Sequence, residues 1–443
     1  MRPTSLEEIA RWCGGVCSAG TTVSGMCLDS RTAVSGDLFF AVKGQNVDGH
    51  SYIESAAKNG ASAAVVTEDG SWSIPTVKVA DAVRAAAEIA AAYRKTLGSK
   101  FCAVTGSVGK TTTKEMIHTV LSAKYNTGKS TKNHNNLLGL SLSLLAQDDS
   151  HEAVVLELGM NHFGELSELT AMALPDVAVI TNIGTMHIEH LGSREGILKA
   201  KLEILEGLAS DGIAILNGNE PLLRNAGIDH EICWFGFSDD CHVRGENYRE
   251  TEIGCEFDAV VYGSRQKVCL PVEGRHNVMN ALSALAVGYR YNVPVSEMAE
   301  ALAEFRNTGM RQNIYKAKGC IIIEDCYNAG PESTAASLSV LASKSGKRIA
   351  VLGSMLELGD HSRSEHEKIG HIAAQSADIL LTFGDDMAFG AAEAKKLGME
   401  AYAYTDKDEL AEMLRHTAKP GDTILFKGSR GMKMEQILEA FLK

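Results

Sequence analysis

Residues 101–121 read FCAVTGSVGKTTTKEMIHTVL. An apolar lead-in of strand type runs into a glycine loop, then Lys110-Thr111, then a pattern of helical period. Strand, glycine loop and helix in that order form a phosphate cradle. The glycines let backbone N–H groups close on phosphate oxygens, and the helix N-terminus adds the positive end of its dipole. Lys110 can reach the outer phosphates, and the Thr111 hydroxyl can bind Mg²⁺. The cradle takes in Thr105, Gly106, Ser107, Val108, Gly109, Lys110, Thr111 and Thr112. Its form is TGxxGKT rather than GxxxxGK(S/T), because Val104 stands where the longer pattern has its first glycine. GTPases, kinases and ligases all use such a loop, so alone it leaves open whether the phosphate is held, cut by water or passed on.

Outward from the loop, strand and helix patterns alternate. AVVLELG, DVAVITNIG and GIAILNG read as strands; FGELSELTAMA and REGILKAKLEILEGLA read as helices. Such alternation predicts an α/β fold with a parallel sheet covered by helices. A β-rich insert (CWFGF, CEFDAVVYG, KVCLPV) and a helix beginning at GRHNVMNALSALAV follow. The chain divides into three units. Residues 1–98 form a small α/β N-terminal domain, closed by the Ala-rich helix DAVRAAAEIAAAYRKTLG. Residues 99–307 form the central domain, which carries the phosphate loop. Residues 308–443 form a Rossmann-like domain, entered through a hinge at Thr308–Gly309.

The 443 residues carry a net charge of -13, which excludes a general basic footprint for nucleic acid. Ten cysteines are scattered with no CxxC pair, and Cys102, Cys320 and Cys326 sit in or beside apolar strand-like runs. They read as reduced, buried thiols. There is no signal-peptide core at the start and no apolar run long enough for a membrane span, so a cytoplasmic protein is expected.

Ligands of open parallel sheets sit at the carboxyl ends of the strands. Glu157 ends one such strand and His187 follows another. A carboxylate with the Thr111 hydroxyl suits Mg²⁺. His187 by spacing alone reads as an ordinary loop or core histidine. Lys201 shares a helix face with Leu198, Leu202 and Leu205, and spacing alone reads it as a snorkelling lysine at the edge of an apolar stripe. The amide run Asn133, Asn135 and Asn136 suits a polar substrate and equally suits a turn. Asn277 and Asn280, three apart on one helix, suit a base or ribose, or a helix cap.

Taken together, TGSVGKTTTKEM, LELGMNHFGEL, TNIGTMHIEHLGS with AKLEI, EGRHNVMNA, DCYNAGPES, VLGSMLELG and KGSRGMKME resemble the Mur ligases, motif by motif and in order. The first unit adds DSRTAVSGDLFFAVKGQNVDGHSYI, so the resemblance covers nearly the whole chain. It implies ATP-driven amide bond formation in peptidoglycan precursor synthesis. UDP-N-acetylmuramoyl-tripeptide would supply the carboxylate and D-alanyl-D-alanine the amine, through an acyl phosphate. It implies two Mg²⁺, held by Thr111, Glu157 and His187 with a carbamylated Lys201. Lys110, Glu157, His187, Lys201 and Arg311 would be catalytic. Asn277, Asn280, Arg311 and Asp325 would meet the nucleotide. Ser30, Arg31, Gly49 and His50 match the uridine-diphosphate site. Asn133, Asn135 and Asn136 match the loop that meets the sugar-peptide. Lys427, Ser429 and Arg430 lie where the third domain approaches the incoming amine. A monomer is expected. Three positions depart from the family pattern: Gly330 where YNANP has Asn, Ser354 where GDMLELG has Asp, and Ser141 in place of Pro.

Overall fold

The structure is a computed structural model that describes residues 1–44, 47–131, 133–251 and 253–443. Gln45 and Asn46 of the N-terminal motif, and Lys132 of the amide run, lie outside the described residues.

The first sheet has parallel strands Gly25–Cys27, Asp37–Phe40, Ala63–Val66 and Thr76–Lys78, with Val16–Cys17 antiparallel at its edge. Helix Ala82–Arg94 is capped by Asp81, whose carboxylate accepts from the Val83 and Arg84 amides. Its small Ala85, Ala86 and Ala90 are fully covered, and the helix packs against helix Leu137–Leu145 of the next domain. Two residues at its end fasten the domains together. The Tyr93 hydroxyl donates to Gln147 O at 2.9 Å. The Arg94 guanidinium donates to the carbonyls of Ala173 and Leu174, both at 2.8 Å, and lies over the Phe101 ring at 3.6 Å.

The central domain is built on parallel strands β1 (Lys100–Thr105), β2 (Ala153–Glu157), β3 (Val177–Ile180), β4 (Ile213–Asn217) and β5 (Glu231–Gly236). In space the order is β5-β4-β3-β1-β2, with Thr127–Lys129 beyond β2. Strand β1 is therefore flanked by β3 and β2, whose carboxyl ends carry His187 and Glu157 to the phosphate loop. Residues from the middle of β1, β2 and β3 are buried on both faces, as expected for a covered parallel sheet.

The segment read as a β-rich insert continues the central sheet. CWFGF lies in β5, inside the parallel sheet, and Val243–Thr251, Gly254–Val261 and Ser264–Leu270 extend the same sheet to nine strands. The direction changes because of the connections. Val243–Thr251 still runs parallel to β5 and direction reverses at Gly254–Val261, after which Tyr262 (φ 47°) and Gly263 (φ 88°) make a two-residue turn that permits only a hairpin with Ser264–Leu270.

The third domain has parallel strands β6 (Cys320–Asp325) and β7 (Thr423–Lys427) side by side, continued by Arg348–Gly353, Ile379–Phe383 and Glu400–Tyr404. Asp325 and Lys427 are paired residues at the ends of β6 and β7, turned toward the central domain. Among the described residues no helix is long and apolar enough to cross a membrane. All ten cysteines are free, and Cys102, Cys320 and Cys326 are buried.

The Arg94 clamp gives a stability prediction. Arg94→Ala leaves two carbonyls without donors and uncovers Phe101, at a cost of about 2–4 kcal/mol. Denaturant unfolding should show it as a shifted midpoint, with Lys at this position recovering less than half.

Candidate active site

The phosphate loop owes its shape to residues of the neighbouring strand end. Asn182 accepts from the Val108 amide through Oδ1 (2.9 Å) and donates to Val108 O through Nδ2 (3.0 Å). The Thr181 hydroxyl donates to the same carbonyl at 2.6 Å, and the Gly184 amide donates to Ser107 Oγ at 2.9 Å. This close approach makes Gly106 obligatory, because its φ is 148° and a Cβ there would collide with Thr181 Oγ1. Helix α1 (Lys110–Ser122) starts at Gly109 (φ 85°) with no side-chain cap, which leaves its first amides for an anion. Lys110 Nζ curls back to donate to Gly106 O (2.7 Å) and Ser107 O (3.2 Å). Burial pushes its pKa down; nearby Glu157 opposes that shift and Arg311 adds to it.

The Thr111 hydroxyl donates to Glu157 Oε2 at 2.8 Å and accepts from Arg311 Nη2 at 2.9 Å. Asn135 Nδ2 donates to Glu157 Oε1 at 3.0 Å. Lys114 lies one turn after Lys110 with no exposed surface. Its Nζ donates to Ser130 O at 2.9 Å and is 4.0 Å from Glu157 Oε2. Arg311 lies over the Tyr327 ring at 3.8 Å. A central-domain hydroxyl and carboxylate are thus joined to an arginine that follows the hinge.

A second polar chain crosses the same gap. Thr113 Oγ1 donates to Asn280 Oδ1 (3.1 Å), Asn280 Nδ2 to Asn277 Oδ1 (3.3 Å), and Asn277 Nδ2 to Gln312 Oε1 (2.6 Å). The Gln312 amide donates to Asp325 Oδ1 (3.3 Å). Asp325 Oδ2 accepts from Lys427 Nζ (2.5 Å) and the Ser337 hydroxyl (2.6 Å). Burial alone would raise the Asp325 pKa, but Lys427, Ser337 and His276 hold it below the ordinary carboxylate value.

His187 sits at φ 64°, in the left-handed region, and its Nδ1 is 2.6 Å from Glu357 Oε2 of the third domain. The approach is too oblique for a formed hydrogen bond, so the contact is an ion-pair distance. Lys201, in helix α2 (Arg194–Leu202), is 2% exposed and makes no hydrogen bond or ion pair among the described residues. Desolvation, with Lys110 nearby, pushes its pKa well down. Spacing read this lysine as solvated at its tip; in the structure it is buried.

One cavity of about 760 Å³ is lined by Lys110, Thr111, Asn133, Asn135, Asn136, Glu157, His187, Asn277, Asn280, Arg311, Asp325 and Lys427. Other expected residues lie outside it. Ser429 Oγ accepts from the Leu356 amide (2.9 Å) and donates to Ala329 O (3.2 Å), joining two loops, while Arg430 pairs with Glu435 at 2.9 Å. Ser30, Arg31, Gly49 and His50 gather in the N-terminal domain around helix Ile53–Asn59. Arg31 pairs with Asp29 at 2.6 Å, and Asn59 donates to Ser30 O at 2.8 Å. His50 Nδ1 is 2.7 Å from Asp48 Oδ1, while its Nε2 accepts from the Thr67 amide at 3.0 Å. A Cβ on Gly49 would stand 2.7 Å from Val42 N.

Family models match three stretches: the Mur ligase family catalytic domain at residues 22–99, the Mur ligase middle domain at 104–288, and the Mur ligase glutamate ligase domain at 310–430. The chain is 39% identical, over 434 residues, to a UDP-N-acetylmuramoyl-tripeptide–D-alanyl-D-alanine ligase of Bacillus subtilis. That alignment covers 96% of this chain and 94% of the relative. The chain belongs to the Mur ligase family. Its fold matches a crystal structure of MurF from Acinetobacter baumannii with TM-score 0.91, 30% identity and 99% of each chain covered. It matches the ADP complex of MurF from Thermotoga maritima with TM-score 0.84 and 30% identity, over 95% of this chain and 97% of that one.

Two departures from the Mur ligase pattern have physical accounts. A Cβ at Gly330 would stand 2.8 Å from Met186 Cγ, so the glycine lets the start of helix Pro331–Ala342 close on the central domain. Ser354 is buried and accepts from the Met387 amide at 3.2 Å, which fixes the loop after Arg348–Gly353. Ser141 lies within helix Leu137–Leu145 and donates to Leu137 O at 2.8 Å. Sequence reading missed Asn182, Lys114 and Gln312. Lys114 had a usable signal, since it lies four residues after Lys110 on the same face of the helix.

His276 lines the cavity beside Asp325 and Lys427, and its pKa is lowered to about 4 from 6.5, mainly by burial. The residue as a whole is only half-buried, so solvent screening moderates the effect. A folded-state pKa below the unfolded one means that the unfolded chain binds more protons between those values. Stability is fully present above pH 6.5 and falls toward pH 4. Melting temperatures of His276→Asn should therefore vary less with pH across that window than those of the parent chain.

Proposed function

We infer that this chain is an ATP-dependent peptide ligase that joins D-alanyl-D-alanine to UDP-N-acetylmuramoyl-tripeptide, a step in peptidoglycan precursor synthesis. The observation that carries the reading is one cavity in which the phosphate loop and Glu157 of the central domain face Arg311, Asp325 and Lys427 of the third. A nucleotide-holding half and an amine-side half meet there, as a two-substrate ligation requires.

The chemistry follows from these residues. The loop amides and Lys110 hold the ATP phosphates, with Lys110 exchanging its two loop carbonyls for phosphate oxygens. The tripeptide carboxylate attacks the γ-phosphate, and ADP leaves. Lys110 spreads its charge over the phosphoryl oxygens in a site of low dielectric. The free amine of D-alanyl-D-alanine then attacks the acyl carbon, a proton is lost from nitrogen, and phosphate departs. Apposition of the two domains excludes the water that would hydrolyse the acyl phosphate. Asn277 and Asn280 meet the nucleotide, and Asn133, Asn135 and Asn136 meet the sugar-peptide. Ser30, Arg31, Gly49 and His50 hold its uridine diphosphate.

The donors suit a hard cation. Thr111 and Glu157 offer oxygens to one Mg²⁺, and His187 with Lys201 in carbamate form would hold a second. Bound there, the cations neutralise charge on the transferring phosphoryl group. Three facts support carbamylation of Lys201: its burial, its lack of a partner among the described residues and its lowered pKa, which favours the neutral amine that takes up CO₂. The reaction belongs in the cytoplasm, and the chain acts as a monomer.

Phosphate release is the decisive measurement, with ATP, UDP-N-acetylmuramoyl-tripeptide and D-alanyl-D-alanine each omitted in turn. Dependence on both substrates, with a pentapeptide product by mass, is expected. Release without the amine would point to a nucleotide switch, and turnover with a single amino acid to another ligase. Lys110→Ala should abolish ADP formation, and near-normal turnover would remove the loop from the mechanism. For Lys201→Ala, activity should fall about 10²–10⁴-fold and return in part with added short carboxylates. Full activity without rescue rules out the carbamate.

A further inference from the structure

We propose that Glu357, on the third domain, is a positioning residue that fixes the ring tautomer of His187, on the central domain. His187 then offers Nε2 to a divalent cation only when the two domains are docked. The proposal rests on the reading of His187 as a cation ligand.

The geometry makes the carboxylate selective. Glu357 Oε2 lies 2.6 Å from Nδ1 of His187. A neutral imidazole carries one proton. With that proton on Nδ1 the contact is attractive, and Nε2 keeps its lone pair. Because Oε2 lies off the N–H axis, the selection is electrostatic: with the proton on Nε2, the negative end of Nδ1 would stand beside the carboxylate at the same distance and be repelled. Nδ1 has no solvent-exposed surface, whereas the side chain as a whole is 14% exposed and lines the cavity. The exposed part therefore belongs to the side of the ring away from Nδ1, where Nε2 lies. Ring nitrogens that ligate metals commonly depend on such a partner at the other nitrogen.

The contact is built rather than incidental. His187 and Glu357 both hold left-handed backbone, at φ 64° and 65°, a conformation that non-glycine residues seldom adopt. The turn after Glu357 is seated on the helix after His187. Gly359 has φ 52°, and a Cβ there would stand 3.0 Å from Glu189 Cγ. The short helix Ile188–Leu191 and the turn Gly359–His361 pack together. Two strained positions, one on each domain, thus converge on one contact between the domains.

Opening the domains removes the carboxylate and frees both tautomers, so cation affinity at His187 falls. By reciprocity, a cation bound there favours docking of the third domain. Assembly of the amine-side domain and completion of the second cation site become one event.

The test uses the full chain with a non-hydrolysable ATP analogue, UDP-N-acetylmuramoyl-tripeptide and Mn²⁺ as a paramagnetic probe. Binding isotherms are read by electron paramagnetic resonance. The parent chain should bind two Mn²⁺. Glu357→Gln and Glu357→Ala should keep the first at unchanged affinity and bind the second about 10–100-fold more weakly. Their melting temperatures should match the parent's. With Mg²⁺ in place of Mn²⁺, ¹⁵N resonances of the His187 ring should show Nδ1 protonated in the parent and both tautomers populated in Glu357→Ala. Isotherms of both Glu357 variants that superimpose on the parent's, or an Nε2-protonated ring in the parent, overturn the proposal. His187→Ala separates the two levels. If it leaves both Mn²⁺ sites intact, the cation reading of His187 fails as well. If it removes the second site while the Glu357 variants do not, only the role of Glu357 fails.

Discussion

The Thr111 hydroxyl is the point on which both halves of the site converge. It donates to Glu157 at the end of β2 and accepts from Arg311 beyond the hinge. A hydroxyl has one proton to give and two lone pairs to offer, so this pairing still leaves a lone pair for a cation. Because Glu157 is buried, its charge needs such partners, and Asn135 and the nearby Lys114 supply more. The register of β1 and β2, with Glu157 beside Val104, brings the carboxylate level with the loop. Domain apposition, loop position and carboxylate placement are thus held through a few shared atoms.

The electrostatics of the cavity contrast with those of the whole chain. The protein carries a net charge of -13, yet Lys114 and Lys201 are buried and Lys110 is half-buried near the loop. Burial of several ammonium groups is unfavourable, and desolvation lowers the pKa of Lys110 and Lys201. Bound phosphates would relieve that cost, so the site is built for anions despite the acidic surface. The Asn280–Asn277–Gln312–Asp325 chain extends this pre-organised polarity across the hinge without adding net positive charge.

Much of the fold was legible from local pattern. The phosphate loop stood out because strand, glycine and helix signals are contiguous, and each acts on its nearest neighbours. The alternation of periods two and 3.6 likewise declared parallel sheets. The sheet partners of the β-rich segment stayed open because they do not show in a strand's own residues; turn geometry and crossover lengths decide them. Spacing alone misread the burial of Lys201 for a related reason. Its own helix shows an edge position, but cover from elements distant in sequence buries it. His187 had only the weak signal of its place after a strand end, since its partner Glu357 belongs to another domain.

Residue chemistry and order determined which groups this protein has: a phosphate loop, a carboxylate at the next strand end, amides on a later helix, and a third domain ending in KGSRGMKME. They also carried the family resemblance, because motif order survives where geometry is invisible. Only the tertiary structure decided which of those groups share a cavity. It brought Asn135 onto Glu157, Arg311 onto Thr111 and Glu357 onto His187, and it turned Ser429 to a loop-bracing role. The physical reason is that such contacts join residues far apart in the chain, and their distances follow from how sheets and domains pack rather than from any local preference.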